Sequence, residues 1–133
     1  MKKFLILVIL LTSGPICYAN EGDIEIYCEA VQTITYKQRI VKNYSNFGFF
    51  IDDNSKKLYF APSHNDVGGN VIIFDEDAIY LKDINAPTGM SGDLSINRNS
   101  GAFRINFVEN KKILPAHITH TGNCSKVSAQ NKF

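Results

Sequence analysis

Residues 94–107 read LSINRNSGAFRINF, and this stretch indicates the fold more clearly than any other. Two runs with an apolar residue at nearly every second position meet at a serine-glycine pair. Because alternate side chains of a strand point to opposite faces, the pattern is typical of two half-buried strands joined by a tight turn. It pairs Ile96 with Ile105 and Leu94 with Phe107, unless a glycine bulge shifts this register. The stretch therefore predicts an antiparallel β-hairpin.

Each run of this hairpin carries one arginine. Arg98 falls on the apolar side, opposite Phe103 at the end of the hairpin, whereas Arg104 points to the solvent face. We expect the stem of Arg98 to lie over Phe103 while its guanidinium reaches water at the rim. The alternative is a buried arginine that holds a loop carboxylate or a ligand. Arg98 is therefore a candidate binding residue.

A second hairpin is predicted for residues 47–62, FGFFIDDNSKKLYFAP. Its apolar alternation and its opposite charges agree on one register. An asparagine-serine pair remains as a two-residue turn, which suits the backbone of such turns. The predicted pairs are Phe49 with Phe60, Ile51 with Leu58, Asp52 with Lys57 and Asp53 with Lys56.

A third hairpin is predicted for residues 71–84, VIIFDEDAIYLKDI. The alternation pairs Ile73 with Ile79 and Val71 with Leu81. Three acidic residues remain at the tip. We interpret them as a solvated turn, because the ordered loop of known calcium-binding motifs is absent.

The rest of the chain also favours strands, since β-branched and aromatic residues are plentiful and no segment has a helical period. A first strand starts near Asp23, and residues 32–43 continue it after a bend near Ala30. The last strand covers residues 113–127, with Pro115 at a bulge or an edge. We therefore predict an all-β fold, a small antiparallel meander of seven or eight strands closed as a barrel or sandwich.

The N-terminal segment has the layout of a secretory signal peptide. Two lysines precede an apolar run at residues 4–11, and small residues lead to a cleavage site after Ala19. That run is too short to cross a bilayer, so no membrane span is expected once residues 1–19 are removed. Residues 20–133 then form a single β-domain whose tail, residues 128–133, is frayed. We expect a periplasmic or secreted bacterial protein.

Charge argues against a nucleic-acid partner. Without the two lysines of the signal peptide, 12 basic and 13 acidic residues leave a net charge of −1. A nucleic-acid-binding domain normally carries a clear basic excess. Lys37, Arg39 and Lys42 form a small basic cluster, which we interpret as a solvated face.

Two cysteines follow the signal peptide, Cys28 and Cys124, 96 positions apart. An even pair in an exported domain predicts a disulfide, and the absence of a C-x-x-C motif favours a structural one. The bond would join the first strand to the last, as expected if those strands are neighbours. Closing so long a loop stabilises a fold by about 4–5 kcal/mol in the loop-entropy description.

Three segments taken together resemble many small exported bacterial β-proteins of uncharacterised families. These are IYCEA, the hairpin INRNSGAF, which is similar to an I-x-R-x-[ST]-G-x-[FLY] pattern, and TGNC. The resemblance implies a small exported β-domain with no known activity. The chain is also similar to the periplasmic C-type lysozyme inhibitors, small barrels with an early and a late cysteine. Their inhibitory loop carries an S-x-S-G motif, whereas TGMSGD here places Ser91 and Gly92 imperfectly, so no inhibitory residue is carried over.

The remaining candidate residues lie in loops. His64 and Asp66 belong to SHNDVGGN, and Ser91 belongs to NAPTGMSG. His117 and His120 are three apart and so face opposite sides of a strand, which is unsuitable for holding one metal. No serine lies in a G-x-S-x-G context, and no glycine-rich segment leads into a helix. We therefore expect no catalytic residue, no metal and no cofactor.

The sequence supports an exported, non-enzymatic binding or interaction protein whose partner and oligomeric state it does not indicate. One alternative is a β-barrel that holds a small apolar ligand, or a protein that acts like a lysozyme inhibitor. A deep interior pocket would favour the ligand, and a core filled by phenylalanine rings would argue against it. A different alternative is a hydrolase or metal enzyme that uses the histidines.

Overall fold

The computed structural model describes residues 23–127, so the predicted signal peptide and the C-terminal tail lie outside the described residues. The described chain confirms the all-β prediction with eight strands. These are β1 (Ile24–Tyr36), β2 (Arg39–Asp52), β3 (Lys57–Phe60), β4 (Asn70–Phe74), β5 (Ala78–Ile84), β6 (Met90–Asn97), β7 (Ala102–Glu109) and β8 (His117–Lys126). Within residues 23–127, no helix is long and apolar enough to cross a membrane.

The eight strands form one antiparallel sheet in the order β3-β2-β1-β8-β7-β6-β5-β4. This is the predicted meander, because each strand pairs with the next one along the chain except at the β3–β4 step, and β1 also pairs with β8. The sheet curves into a half-barrel whose open side, which we call the seam, separates β3 from β4. Cys28 stands directly opposite Cys124 in the β1–β8 ladder, and the two form the predicted disulfide.

Part of the seam is covered by the chain that follows β3. This segment turns back along β3, where the Phe60 amide donates to the Asn65 carbonyl at 2.7 Å and the Val67 amide donates to the Leu58 carbonyl at 3.0 Å. Val67 is fully buried at this point. The segment that the sequence presents as a free loop is therefore a packed part of the barrel wall.

Aromatic rings occupy the interior of the half-barrel. Phe49 and Phe103 are buried with ring centroids 5.7 Å apart, and Phe47 and Phe60 lie 5.5 Å from one or the other. Phe107 is partly buried at the margin of the same cluster. The interior is thus filled by the five phenylalanines that the sequence assigns to the core.

Replacing Phe103 by alanine should lower the free energy of unfolding by about 3 kcal/mol, because the missing ring leaves a cavity that the packed neighbouring side chains fill only in part. Phe107→Ala should lower it less, since that ring is only partly buried. Urea titration of both variants measures the difference. Equal losses would mean that the two rings contribute equally to the core, contrary to their burial.

The β2–β3 hairpin confirms most of its predicted register. Phe49 pairs with Phe60, Ile51 with Leu58 and Asp52 with Lys57. The expected pair of Asp53 with Lys56 is wrong, because the ladder ends one residue earlier and residues 53–56 form the turn. The Asp52 carboxylate accepts the Asn54 and Ser55 amides at 3.1 and 3.2 Å, which closes the longer turn locally.

The β4–β5 hairpin contains a bulge that the alternation did not predict. Val71 pairs with Leu81 as expected, but the register shifts after Val71, so Phe74 rather than Ile73 stands opposite Ile79. The shift buries the larger Phe74 ring and leaves Ile73 exposed on the outer face. The predicted pair of Ile73 with Ile79 is therefore wrong, because burial of the ring decides the register.

The β6–β7 hairpin keeps its predicted faces but slips by two residues. Leu94 pairs with Ile105 instead of Phe107, and Ile96 with Phe103 instead of Ile105. The loop is longer than a two-residue turn, since Gly101, with φ of 84°, donates its amide to the Asn97 carbonyl at 2.7 Å. Arg98 thereby leaves the ladder and no longer stands opposite Phe103.

Two predicted boundaries also change. Residues 32–43 are not one strand, because Lys37 and Gln38, with φ of 48° and 66°, turn the chain from β1 into β2. The last strand begins at His117 rather than at residue 113. The first turn lacks the glycine or asparagine that normally marks such a hairpin, which is why the sequence did not predict it.

Candidate functional site

Arg98, for which the sequence allowed either a rim position or a buried one, is buried and paired. Its side chain is 4% exposed, and its two terminal nitrogens donate to the Asp53 carboxylate at 2.7 and 2.9 Å. One of them also donates to the Asp75 carbonyl at 2.9 Å. The expected rim arginine is thus wrong, and the alternative of a buried arginine that holds a loop carboxylate describes the structure.

The Arg98 pair connects three hairpin tips. Asp53 belongs to the β2–β3 turn, Asp75 to the β4–β5 tip and Arg98 to the β6–β7 loop, so the contacts cross the seam at one end of the half-barrel. The hydrogen bond from the guanidinium lowers the pKa of the Asp53 carboxyl, against the opposing effect of its partial burial. Arg98 therefore acts as a structural clamp on an open sheet.

His64 lies against the sheet rather than in a free loop. Its ring stacks on Tyr59 with centroids 4.2 Å apart and lies 5.4 Å from Phe50, and its Nε2 is 3.6 Å from an Asp23 carboxylate oxygen. Asp66, two residues later, accepts the Gly68 amide at 2.8 Å. Both candidate residues thus help to fold the segment that covers the seam.

Ser91 lies apart from the other candidates. It is near the start of β6, whereas Arg98 follows the end of the same strand, and its hydroxyl donates to the Asn110 side chain at 2.8 Å. The four residues proposed from the sequence therefore occupy three separate places. They do not form one site.

The histidines do not gather either. His120 is buried on the inner face, where its Nδ1 lies 3.0 Å from the Ser45 hydroxyl, and burial lowers the pKa of its ring. His117 is exposed and lies on the opposite face of the same strand. The described residues contain no group of three or more histidine, cysteine, aspartate or glutamate side chains that could hold a metal ion.

A different set of residues forms a continuous feature on the outer face of the sheet. The pairings of neighbouring strands align one residue from each of seven strands in a single row. In order from β4 to β2, this outer row is Ile73, Tyr80, Ser95, Arg104, Thr121, Val31 and Tyr44. With strands about 4.8 Å apart, the row is about 29 Å long.

A depression follows the first part of the row, and we call it the outer groove. Its volume is about 510 Å³, and Ile73, Tyr80, Ser95, Arg104 and Thr121 line it. Small neighbours make room for it, because Ala78 and Ala102 occupy the flanking outward positions. No acidic residue is among its lining residues.

Arg104 lies at the centre of the outer row, and it differs from Arg98 both in exposure and in the pairing of its guanidinium. It is exposed, and its side chain has neither a hydrogen bond nor an ion pair with any residue in the described range. Its guanidinium can therefore meet a carboxylate from another molecule.

Two smaller depressions continue the outer groove across the sheet. One, of about 360 Å³, shares Thr121 with the groove, reaches Val31 and Tyr44, and has Glu29 in its lining. The other, of about 330 Å³, lies beside Val31 and Tyr44, and the Tyr44 side chain stands out with 91% of its surface exposed. Together they extend the groove along the whole row.

The sequence placed Arg104 on the solvent face but did not indicate the groove. The signal present in the sequence is the pair of alanines at outward positions of β5 and β7, where most strands carry larger polar residues. Comparisons of the chain with protein-family models, with curated proteins and with solved structures found no match.

Proposed function

We propose that this protein is an exported, non-enzymatic binding protein that recognises its partner with the outer groove. The observation that carries the proposal is the unpaired Arg104 guanidinium at the centre of the outer row, where it lines a groove whose own lining residues include no acid. Arginine and tyrosine are the side chains most enriched at the centres of protein interfaces. The Cys28–Cys124 disulfide supports an oxidising, periplasmic or extracellular location.

The groove suits an extended protein segment with one acidic side chain between apolar ones. A planar guanidinium binds a carboxylate through two parallel hydrogen bonds. On the β4 side of Arg104, Ile73 and Tyr80 offer apolar area, and on the other side Val31 and Tyr44 do the same. The partner that complements this row therefore carries its charge in the middle.

The filled interior favours a partner on the surface over a ligand inside the barrel. Phe49 and Phe103 are buried within the interior, and Phe47, Phe60 and Phe107 pack against them. A small apolar ligand would have to displace these rings. The outer groove requires no such rearrangement.

The test is selection from a random peptide display library on wild-type protein, followed by measurement of affinity for Arg104→Ala. We expect enriched peptides to carry an aspartate or glutamate flanked by apolar residues, and we expect Arg104→Ala to weaken their binding at least tenfold. Because Arg104 is exposed and unpaired, the variant should keep its stability within about 0.5 kcal/mol.

Lys82→Ala provides the matched control. Lys82 is an exposed cation on β5, outside the groove lining, so its loss should leave peptide affinity unchanged. Peptides that bind Arg104→Ala and wild type equally well would contradict the proposed site. Selection of no peptide above background would contradict the proposed partner class.

A further inference from the structure

The end of the sheet where β1 turns into β2 forms a surface of its own. This basic end, as we call it, consists of residues 36–42 and of residues 110–114 in the β7–β8 loop. The two segments meet, since the ammonium groups of Lys37 and Lys111 lie 5.2 and 6.0 Å from the centre of the Tyr36 ring. They can therefore contact one partner together.

Positive charge is concentrated at the basic end. Residues 30–51 and residues 110–116 contain no acidic side chain, although the whole chain has a formal charge of only +1. Glu109 borders the loop and is held by Lys111 at 3.4 Å. The cations of this end are Lys37, Arg39, Lys42, Lys111 and Lys112.

Large aliphatic side chains stand exposed among these cations. Ile113 is 78% exposed, Leu114 59% and Ile40 63%. Leu114 has a φ of 48°, a conformation that bulky residues rarely adopt. These three aliphatic side chains do not belong to the buried core cluster of the half-barrel.

We infer that the basic end docks the protein on the surface of a bilayer that contains anionic phospholipids. Ile113, Leu114 and Ile40 enter the boundary between head groups and acyl chains, where the amphipathic Tyr36 ring is also well placed. The surrounding cations meet the head-group phosphates, and each contributes to binding near a negative surface. Apolar insertion and electrostatic attraction to anionic lipids both add to the strength of binding at a membrane surface.

The combination of features favours a bilayer over other partners. A nucleic acid would pair with the cations but leave Ile113 and Leu114 in water. A neutral apolar protein surface would cover the aliphatic side chains but leave four positive charges without an opposite charge, because only Lys111 is paired within the described residues. An anionic bilayer satisfies both requirements, and docking by the end of the sheet leaves the outer groove on its face accessible. The inference is thus independent of the proposed function.

Vesicle binding tests the inference with protein recovered from the envelope of expressing cells. We expect sedimentation with vesicles of equal parts phosphatidylglycerol and phosphatidylcholine, and much weaker sedimentation with phosphatidylcholine alone. High salt should weaken binding because it screens exposed charges. Parts of the protein that are identical in two variants contribute equally to vesicle binding, so a difference between those variants reports on the substituted residues.

Two pairs of matched variants separate charge from insertion. The double variant Lys37→Gln/Lys112→Gln should reduce partitioning of the protein into anionic vesicles about 25-fold, at about fivefold for each lysine. The control double variant Lys56→Gln/Lys126→Gln, at the other end of the sheet, should leave this partitioning unchanged. Ile113→Ser should reduce partitioning about tenfold through lost apolar contact with the bilayer. The control Ile72→Ser removes an exposed isoleucine from β4 and should have no effect.

The outcomes are distinct. Equal binding to both kinds of vesicle, or equal effects of test and control variants, would overturn the inference. Dependence on the lysines without any effect of Ile113→Ser would also overturn it, because the surface would then attract polyanions in general. Unchanged melting temperatures across the variants establish that any loss is a loss of binding.

Discussion

Removing the disulfide with the double variant Cys28→Ala/Cys124→Ala should lower the free energy of unfolding by about 4–5 kcal/mol. The bond closes a loop with a sequence separation of 96, and the loop-entropy description gives this magnitude for loops near 100 residues. It also joins β1 to β8, the pair that connects the first and last strands of the meander. Urea titration under oxidising conditions measures the loss.

Chemical reduction of the wild-type protein is the matching control, since it breaks the same bond without changing the side chains. Reduced wild type and the double variant should unfold at similar urea concentrations. A loss of unfolding free energy below about 1 kcal/mol for both would mean that strand pairing alone holds β1 and β8 together. It would also mean that breaking the disulfide gives the unfolded chain little extra conformational freedom.

The second large effect is expected for Asp53→Ala, which should lower the free energy of unfolding by about 3–5 kcal/mol. The substitution leaves the Arg98 guanidinium, 4% exposed, without its carboxylate, and an unpaired buried charge is strongly destabilising. Arg98→Ala should lower it less, by about 2–3 kcal/mol, because the Asp53 side chain left behind is 41% exposed and can be hydrated. Urea titration of both variants tests this asymmetry.

Arg104→Ala is the control within the same hairpin, because the side chain that it removes has no hydrogen bond or ion pair with residues 23–127. The double variant Asp53→Ala/Arg98→Ala should be more stable than Asp53→Ala alone, since it no longer buries a charge. Asp53→Ala and Arg98→Ala variants that both remained within about 0.5 kcal/mol of wild type would show that the seam closes without the clamp.

Strand identity and face could be predicted from the sequence because they depend on local alternation. Leu94, Ile96, Phe103 and Ile105 point inward as expected, although the β6–β7 ladder slips by two residues. A slip of two keeps every side chain on its face, so alternation cannot distinguish the two registers. Loop length and the packing of Gly92 against Phe107 choose between them.

The candidate sites were harder to predict because they depend on contacts between distant segments. Arg98 and Asp53 are separated by 45 positions, and only the curvature of the sheet brings their turns together across the seam. The outer row likewise needs the register of five strand pairs before Tyr80, Arg104 and Tyr44 fall on one line. No pattern within one segment contains that information.

The sequence by itself determined the all-β class, the meander and the Cys28–Cys124 bond, because alternation and cysteine number are properties of the chain that survive any choice of register. Tertiary structure alone decided that Arg98 is buried against a carboxylate and that the solvent-facing Arg104 has no ion partner within the described residues. Both residues lie in one hairpin, and their difference comes from what the curved sheet places opposite them. For Arg98 that is the Asp53 carboxylate, and for Arg104 it is solvent above an outward groove.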